Sequence, residues 1–506
     1  AVSAAAILDL PARLTSSRSD ESRVAQRMQQ AEALLVEGDR LRHSEDFTRE
    51  HMVDALRAFD RAKQIVLDTT PQRYTPALLR FVDWRRGECW YFLGELESDP
   101  RGFESARECW RTANSYPFDS RILASLDPQS PTFRRLRDLW RGQAISGLGL
   151  VESKLGEFRN PARHLRVAVW SHRIAYEAAL DSTALVPIAG RHAIQQERIR
   201  FARNDLAGSL LRLGATIDSI CYIDEAIRIC AETERTRMFP ADPSAHASCL
   251  HNWGLALLER AERNGSAEDL AGAQERFVQA IQVREAGAAR VRHTASHREL
   301  ARALALQARR ETDARARSRG FAQAESLLWR GLDSLPEDRR TSIAGFQRAT
   351  AAALIDRVAR DAADASQTLG QDAVHAASLD GRPASFVDRG LVLADSLLTE
   401  ASARVDAGDA PARMAWIEFE RGRLARVRSW VVQEQAVRGH GGDSAVTEAT
   451  ATKGDGFPQP AVNALGAASA FREEALRHFE LADDLLPEPQ HPALHRMILG
   501  EMRLLD

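Results

Sequence analysis

Lysine is nearly missing from this chain: of 506 residues only Lys63, Lys154 and Lys453 are lysines, although lysine plus arginine number 68. Arginine and alanine fill the gap, the composition expected of a GC-rich bacterial genome. Charge of one sign is not in excess either. Acidic residues number 71, the formal net charge is −3, and the two signs interleave along the chain. A polyanion-binding surface needs basic residues gathered on one face, so nucleic acid is not an expected partner. The five cysteines, Cys89, Cys109, Cys221, Cys230 and Cys249, are too few and too irregular for a disulfide framework. They read as small buried apolar residues, although antiparallel helices around Cys89 and Cys109 would allow a bridge.

Other absences narrow the function classes. No run approaches the roughly 18–20 apolar residues that span a bilayer. Alternating runs of valine, isoleucine, threonine and tyrosine are also missing, which removes the signature of strands. There is no glycine-rich loop leading to Lys-Ser/Thr, no G-x-S-x-G elbow, no H-E-x-x-H and no Cys-x-x-Cys pair. Gly147-Leu148-Gly149 lacks a third glycine and sits inside a helical pattern, so it reads as helix packing. His293 and His297 share a helix face at metal-ligand spacing, but Glu299 points elsewhere, and the pair reads as solvated surface histidines. The expectation is a protein with no catalytic residues, no metal, no cofactor and no evident small-molecule substrate.

What the chain does have is helical periodicity. Hydrophobic residues make up 44% and charged residues 27%, enough for a real core. Apolar residues recur at i, i+3, i+4 and i+7 over long stretches. Prolines such as Pro71, Pro117, Pro128, Pro131, Pro240, Pro336 and Pro487 fall between those stretches, where a missing donor and a ring clash end a helix.

One segment is built as Trp90-x-x-Leu93-Gly94 followed by Phe103-x-x-Ala106-x-x-x-Trp110-x-x-Ala113-x-x-x-Pro117. It resembles the tetratricopeptide repeat. Small residues (Gly94, Ala106) let two antiparallel helices approach, and large ones (Trp90, Trp110) fill the space beside them. The second-helix pattern returns as Ala55, Phe59 and Ala62; Ala273, Phe277 and Ala280; Ala324, Leu328 and Gly331; Ala394, Leu398 and Ala401; and Ala475, Phe479 and Ala482. Weaker copies are Ala168, His172 and Ala175, and Ala226 with Cys230. Leu148-Gly149, Leu206-Ala207-Gly208 and Trp253-Gly254 mark first helices. The copies lie roughly 50–60 residues apart, against the usual ~34, so longer helices and loops inserted near Arg263 to Asp269 and Arg310 to Gly320 are expected.

The resemblance implies an all-α fold, an α-solenoid of antiparallel helix hairpins wound as a right-handed superhelix. Residues 1–22 are expected to form an extended N-terminal segment, and 23–506 a continuous solenoid of about eight hairpins with a long loop at 438–464. In such folds the first helices line a groove that holds an extended peptide or a helix of a partner. Mapped here, the groove positions are Tyr91, Glu95, Arg203, Asn204, His251 and Asn252. The asparagines stand out because a carboxamide can both donate to and accept from a peptide backbone. The partners implied are other protein chains. Copies of the chain itself are the alternative, joined head to tail through Ala1 to Leu10, the 438–464 loop or the tail His495 to Leu505. The small, uncharged start Ala1-Val2-Ser3-Ala4-Ala5-Ala6 matches what a signal-peptidase cut leaves, so export to the periplasm or the medium is expected, with a cytoplasmic protein trimmed of its initial methionine as the alternative.

Overall fold

The computed structural model describes residues 18–42, 48–69, 75–97, 99–116, 145–181, 191–235, 243–286, 293–335, 340–371, 382–405, 410–441 and 459–505. Among them there are seventeen helices and no strand. In chain order they are α1 (Arg18–Arg42), α2 (Arg49–Thr69), α3 (Thr75–Glu97), α4 (Pro100–Ser115), α5 (145–155), α6 (Pro161–Asp181), α7 (Arg191–Ile217), α8 (Ile220–Arg235) and α9 (Pro243–Asn264). The remainder are α10 (Ala267–Ala286), α11 (His293–Arg310), α12 (Ala314–Asp333), α13 (Arg340–Gln371), α14 (Arg382–Ala403), α15 (Pro411–Gly441), α16 (Gln459–Leu485) and α17 (Pro492–Arg503). Consecutive helices pack as hairpins, α1 on α2, α3 on α4, and likewise α9 on α10 through α15 on α16. The chain is an all-α solenoid of helix hairpins.

Two compact units are formed. One comprises Ala1–Glu157, Arg163–Leu213 and Glu232–Met238; the other Phe158–Ala162, Gly214–Ala231 and Phe239–Asp506. In each, a large side chain on a second helix rests on a glycine of the first. A Cβ on Gly38 would lie 2.7 Å from the Phe59 ring, and one on Gly87 2.5 Å from Trp110. Gly254 meets Phe277 at 2.8 Å, and Gly149 and Gly422 approach His172 and Phe479 still more closely. The flanking alanines Ala55, Ala62, Ala273, Ala280, Ala475 and Ala482 are fully buried. Small residues on both sides of a ring bring the two backbones together, and each buried phenylalanine contributes about 2–3 kcal/mol.

Tight turns join several pairs. Asn160, Asp218 and Gly265 have positive φ (43°, 57° and 75°), the left-handed conformation that closes a helix C-terminus and that glycine, asparagine and aspartate tolerate best. The next helix then starts on a polar cap: Ser266 Oγ accepts from Asp269 N at 3.1 Å, and Asp313 Oδ1 from Ala316 N at 2.7 Å.

Several expectations are corrected. The inserted loops near 263–269 and 310–320 are turns of two and three residues, Gly265–Ser266 and 311–313. Their polar residues belong to helix ends: Arg260 forms a two-pronged bond to Asp269 at 2.7 and 2.8 Å. The first helix begins at Arg18, inside the segment expected to be extended. At the loop expected over 438–464, α15 runs to Gly441 and α16 starts at Gln459, while 442–458 lie outside the described residues. Gly94 faces Phe103, and Trp110 sits against Gly87 and Gly147. Pro487 separates α16 from α17; the other helix-ending prolines named above, and Ala1 to Leu10, lie outside the described residues.

Candidate functional site

In the first unit, α3, α5 and α7 are first helices linked by polar side chains. Lys154 on α5 reaches Glu95 on α3 at 3.2 Å and Glu157, in the turn that follows α5, at 3.3 Å. Arg212 on α7 donates to Ser153 at 2.9 Å and to Glu157 at 3.3 Å. A ladder of alternating charge thus runs Glu95, Lys154, Glu157, Arg212. Deeper in the same unit, Ser146 Oγ donates to Asp205 Oδ2 at 3.2 Å. Burial pushes the Asp205 carboxyl up to about 7, against the pull of that hydrogen bond. His172 Nε2 donates to the Ser146 carbonyl at 3.2 Å, so Nδ1, at 2.8 Å from Ser209 Oγ, is the acceptor. Burial lowers this neutral imidazole to about 4.

The second unit repeats the device over more helices. Arg302 on α11 bonds Glu259 at 2.8 Å and Glu262 at 3.0 Å, both on α9. Arg309 lies 3.6 Å from Asp356 on α13, which also takes Arg423 of α15. Arg348 on α13 is 3.8 Å from Glu420 on α15, and Arg426 bonds Glu501 on α17 at 2.8 Å. Burial would raise the Glu299 carboxyl, but Arg298 and Arg302 more than offset it and hold it at about 2. Glu259 is shifted down and Glu262 up: burial raises both, and the arginines win only at Glu259, which has Arg263 as well as Arg302 beside it. The side chains of Arg212 and Arg302 stay 47% and 39% exposed, so solvent still reaches both ladders.

The positions expected to line a groove are placed unevenly. Tyr91 and Glu95 come together on α3, the phenol donating to the carboxylate at 3.3 Å, while the Tyr91 ring packs against Phe103 and Trp110. Arg203 is buried in α7, donating to Tyr176 Oη and Glu232 at 3.1 Å each, so its charge is spent on helix packing. Asn204 beside it is half-buried and engaged with its neighbours. His251 and Asn252 belong to the second unit. His251 Nδ1 lies 3.0 Å from Ser296 Oγ, which also accepts from Arg284 at 2.6 Å, and Asn252 is half-buried and engaged. The ladder residues other than Glu95 escaped the sequence reading: partners such as Arg302 and Glu262, or Arg426 and Glu501, are 40 and 75 residues apart.

Among the described residues no cluster of three or more histidine, cysteine or acidic side chains could hold a metal ion, and no helix is long and apolar enough to cross a membrane. The His293 side chain lies outside the described residues. All five cysteines are free; Cys221 is exposed, and burial raises the thiols of Cys89 and Cys109 to about 12 and 11.

No protein-family model and no curated protein matches this chain. Among solved structures it is similar to a monomeric mutant of IFIT1 with m7Gppp-AAAA, at 14% identity and a TM-score of 0.35, over 92% of this chain and 86% of that one. It is likewise similar to the human IFIT1 dimer with PPP-AAAA, at 13% identity and a TM-score of 0.32, over 94% and 96% of the two chains. Likeness at this level carries no argument about function.

Proposed function

We propose that this protein is a non-catalytic scaffold that binds segments of other proteins along the faces of its successive first helices. The observation that carries this reading is the pair of side-chain ladders. They put solvent-reached arginines and carboxylates of several helices side by side, the arrangement that exchanges hydrogen bonds with a peptide laid across it. Because each positive group already has carboxylates beside it, the faces suit a chain carrying both charges and backbone amides better than a polyanion. Asn204 and Asn252 remain the proposed contacts to a partner backbone.

The test is affinity capture with the full chain, comparing wild type with Asn204→Ala/Asn252→Ala and with Arg61→Ala, an exposed position on α2. A partner that is held by wild type and Arg61→Ala but weakened at least tenfold by the asparagine pair supports the reading. Equal capture by all three removes the asparagines from the site.

A further inference from the structure

On a different side of α15 from Arg423 and Arg426, a half-open cleft of about 200 Å³ lies between α14 and α16. Its floor is one face of α15. Arg421, Leu424, Ala425 and Arg428 stand there at the i, i+3, i+4 and i+7 spacing that keeps side chains together. The two arginines are about 10 Å apart along the helix, with the apolar pair between them. Asp395 and Thr399 form the α14 wall, and Glu474 and His478 the α16 wall, each pair one turn apart. The cleft thus joins two successive hairpins within the second unit.

Bonds within the protein use only part of this lining. Glu418, buried on α15, takes Arg421 Nη1 on one oxygen and His478 Nδ1 on the other, each at 2.7 Å. Arg421 Nε and Nη2 make no hydrogen bond among the described residues. Arg428 donates only through Nη2, to Asp395 Oδ2 at 3.0 Å and the Leu391 carbonyl at 3.5 Å, again among the described residues. Glu474 accepts no hydrogen bond among them, and His478 Nε2 stands 3.9 Å away, beyond bonding reach. Both arginines are mostly buried, so a ligand meets these spare groups away from bulk solvent.

The mixture of signs selects the ligand. Two guanidiniums repel a bare cation, while Asp395 and Glu474 repel a phosphate or another multiply charged anion. A zwitterion suits both. At one end Arg421 and Thr399 offer donors to a carboxylate, and Glu474 offers acceptors to an ammonium group. At the other end Arg428 donates and Asp395 accepts, which a carboxamide answers with its oxygen and its NH2. A closed cavity of about 150 Å³ accepts benzene, so this cleft has room for a free amino acid and none for a helix. We infer that the cleft binds a free α-amino acid with a carboxamide side chain. Its α-carboxylate lies on Arg421, its ammonium on Glu474 and its carboxamide between Arg428 and Asp395. Bound there, it ties α14 to α16. The site is separate from the ladder faces and does not depend on their role.

The test is isothermal titration calorimetry of the full chain with L-glutamine and with L-asparagine. One-to-one saturable binding of at least one of them, at millimolar concentration or below, is expected. Glu474→Gln weakens it at least tenfold while removing no hydrogen bond from the described fold. Glu473→Gln, an exposed neighbour on α16, leaves it unchanged. N-acetyl-L-glutamine lacks the ammonium, L-glutaminamide the carboxylate and L-norleucine the carboxamide, and each binds at least tenfold more weakly than L-glutamine. The inference is overturned if neither amino acid binds saturably, if Glu474→Gln binds as tightly as wild type, or if L-norleucine matches L-glutamine. Asn204→Ala/Asn252→Ala binds the amino acid like wild type, so a failure here is distinct from a failure of the ladder faces.

Discussion

Phe479 of α16 lies on Gly422 of α15 so closely that a methyl group on the glycine would overlap its ring. Alanine is otherwise the better helix former, by about 1 kcal/mol. Gly422→Ala is therefore expected to reverse the usual sign and destabilise the fold by about 1–3 kcal/mol, the cost of overpacking a filled core. Gly500→Ala, facing open space, should stabilise by ~0.5–1 kcal/mol. Urea unfolding of the two variants checks both; equal effects would contradict the difference in packing.

Asp205 and His172 give the first unit two opposed pH dependences. The Asp205 pKa is raised from 3.8 to about 7, so its contribution is fully present below 3.8 and lost as pH rises through 7. The His172 pKa is depressed from 6.5 to about 4, so its contribution is present above 6.5 and lost as pH falls through 4. Between pH 4 and 6.5 the two slopes offset each other. Asp205→Asn should leave stability rising with pH across that window, and His172→Phe should leave it falling, each by about 1–2 kcal/mol. Melting temperatures at pH 4.5 and 6.5 distinguish the signs.

Arg302 is the shared cation of Glu259 and Glu262. Arg302→Leu leaves two carboxylates facing each other and should cost about 1–2 kcal/mol, discounted because the guanidinium is partly exposed. Adding Glu262→Gln should recover much of the loss. A double-mutant cycle by denaturant unfolding measures the coupling, and no recovery would mean that the pair contributes through packing alone.

Cys221 is the exposed thiol, while Cys89, Cys109, Cys230 and Cys249 are buried. A disulfide reagent should react quickly with one thiol per folded chain and with all five after unfolding without reductant. Three on unfolding would reveal a bridge, with Cys230 and Cys249 as its first candidates, since the Cys249 thiol lies 4.0 Å from the Cys230 carbonyl.

The sequence displayed the hairpins well because their signal is local. An alanine, a ring four residues on and a small residue three later lie on one face of one helix, and Phe59, Phe277 and Phe479 are all buried where that pattern puts them. Turns were harder. Arg263 to Asp269 has loop composition, yet its polar residues cap helices and bond across a two-residue turn. Gly94 stands out in the repeat pattern and faces Phe103, whereas the glycine under Trp110 is Gly87, two helical turns earlier and outside that pattern. The ladders were illegible for a different reason: arginines and carboxylates abound on every helix, and nothing local says which of them meet. Lys154 registered only as one of three lysines, and packing alone places it between Glu95 and Glu157.

The ladders have a kinetic consequence. Because neighbouring charges cancel within a few ångströms, neither face projects an electric field far into solution, and a charged partner gains no steering on approach. Association along these faces should proceed at the unsteered rate of about 10⁵–10⁶ M⁻¹ s⁻¹ and change little with added salt. Discrimination between partners then falls to how long each one stays.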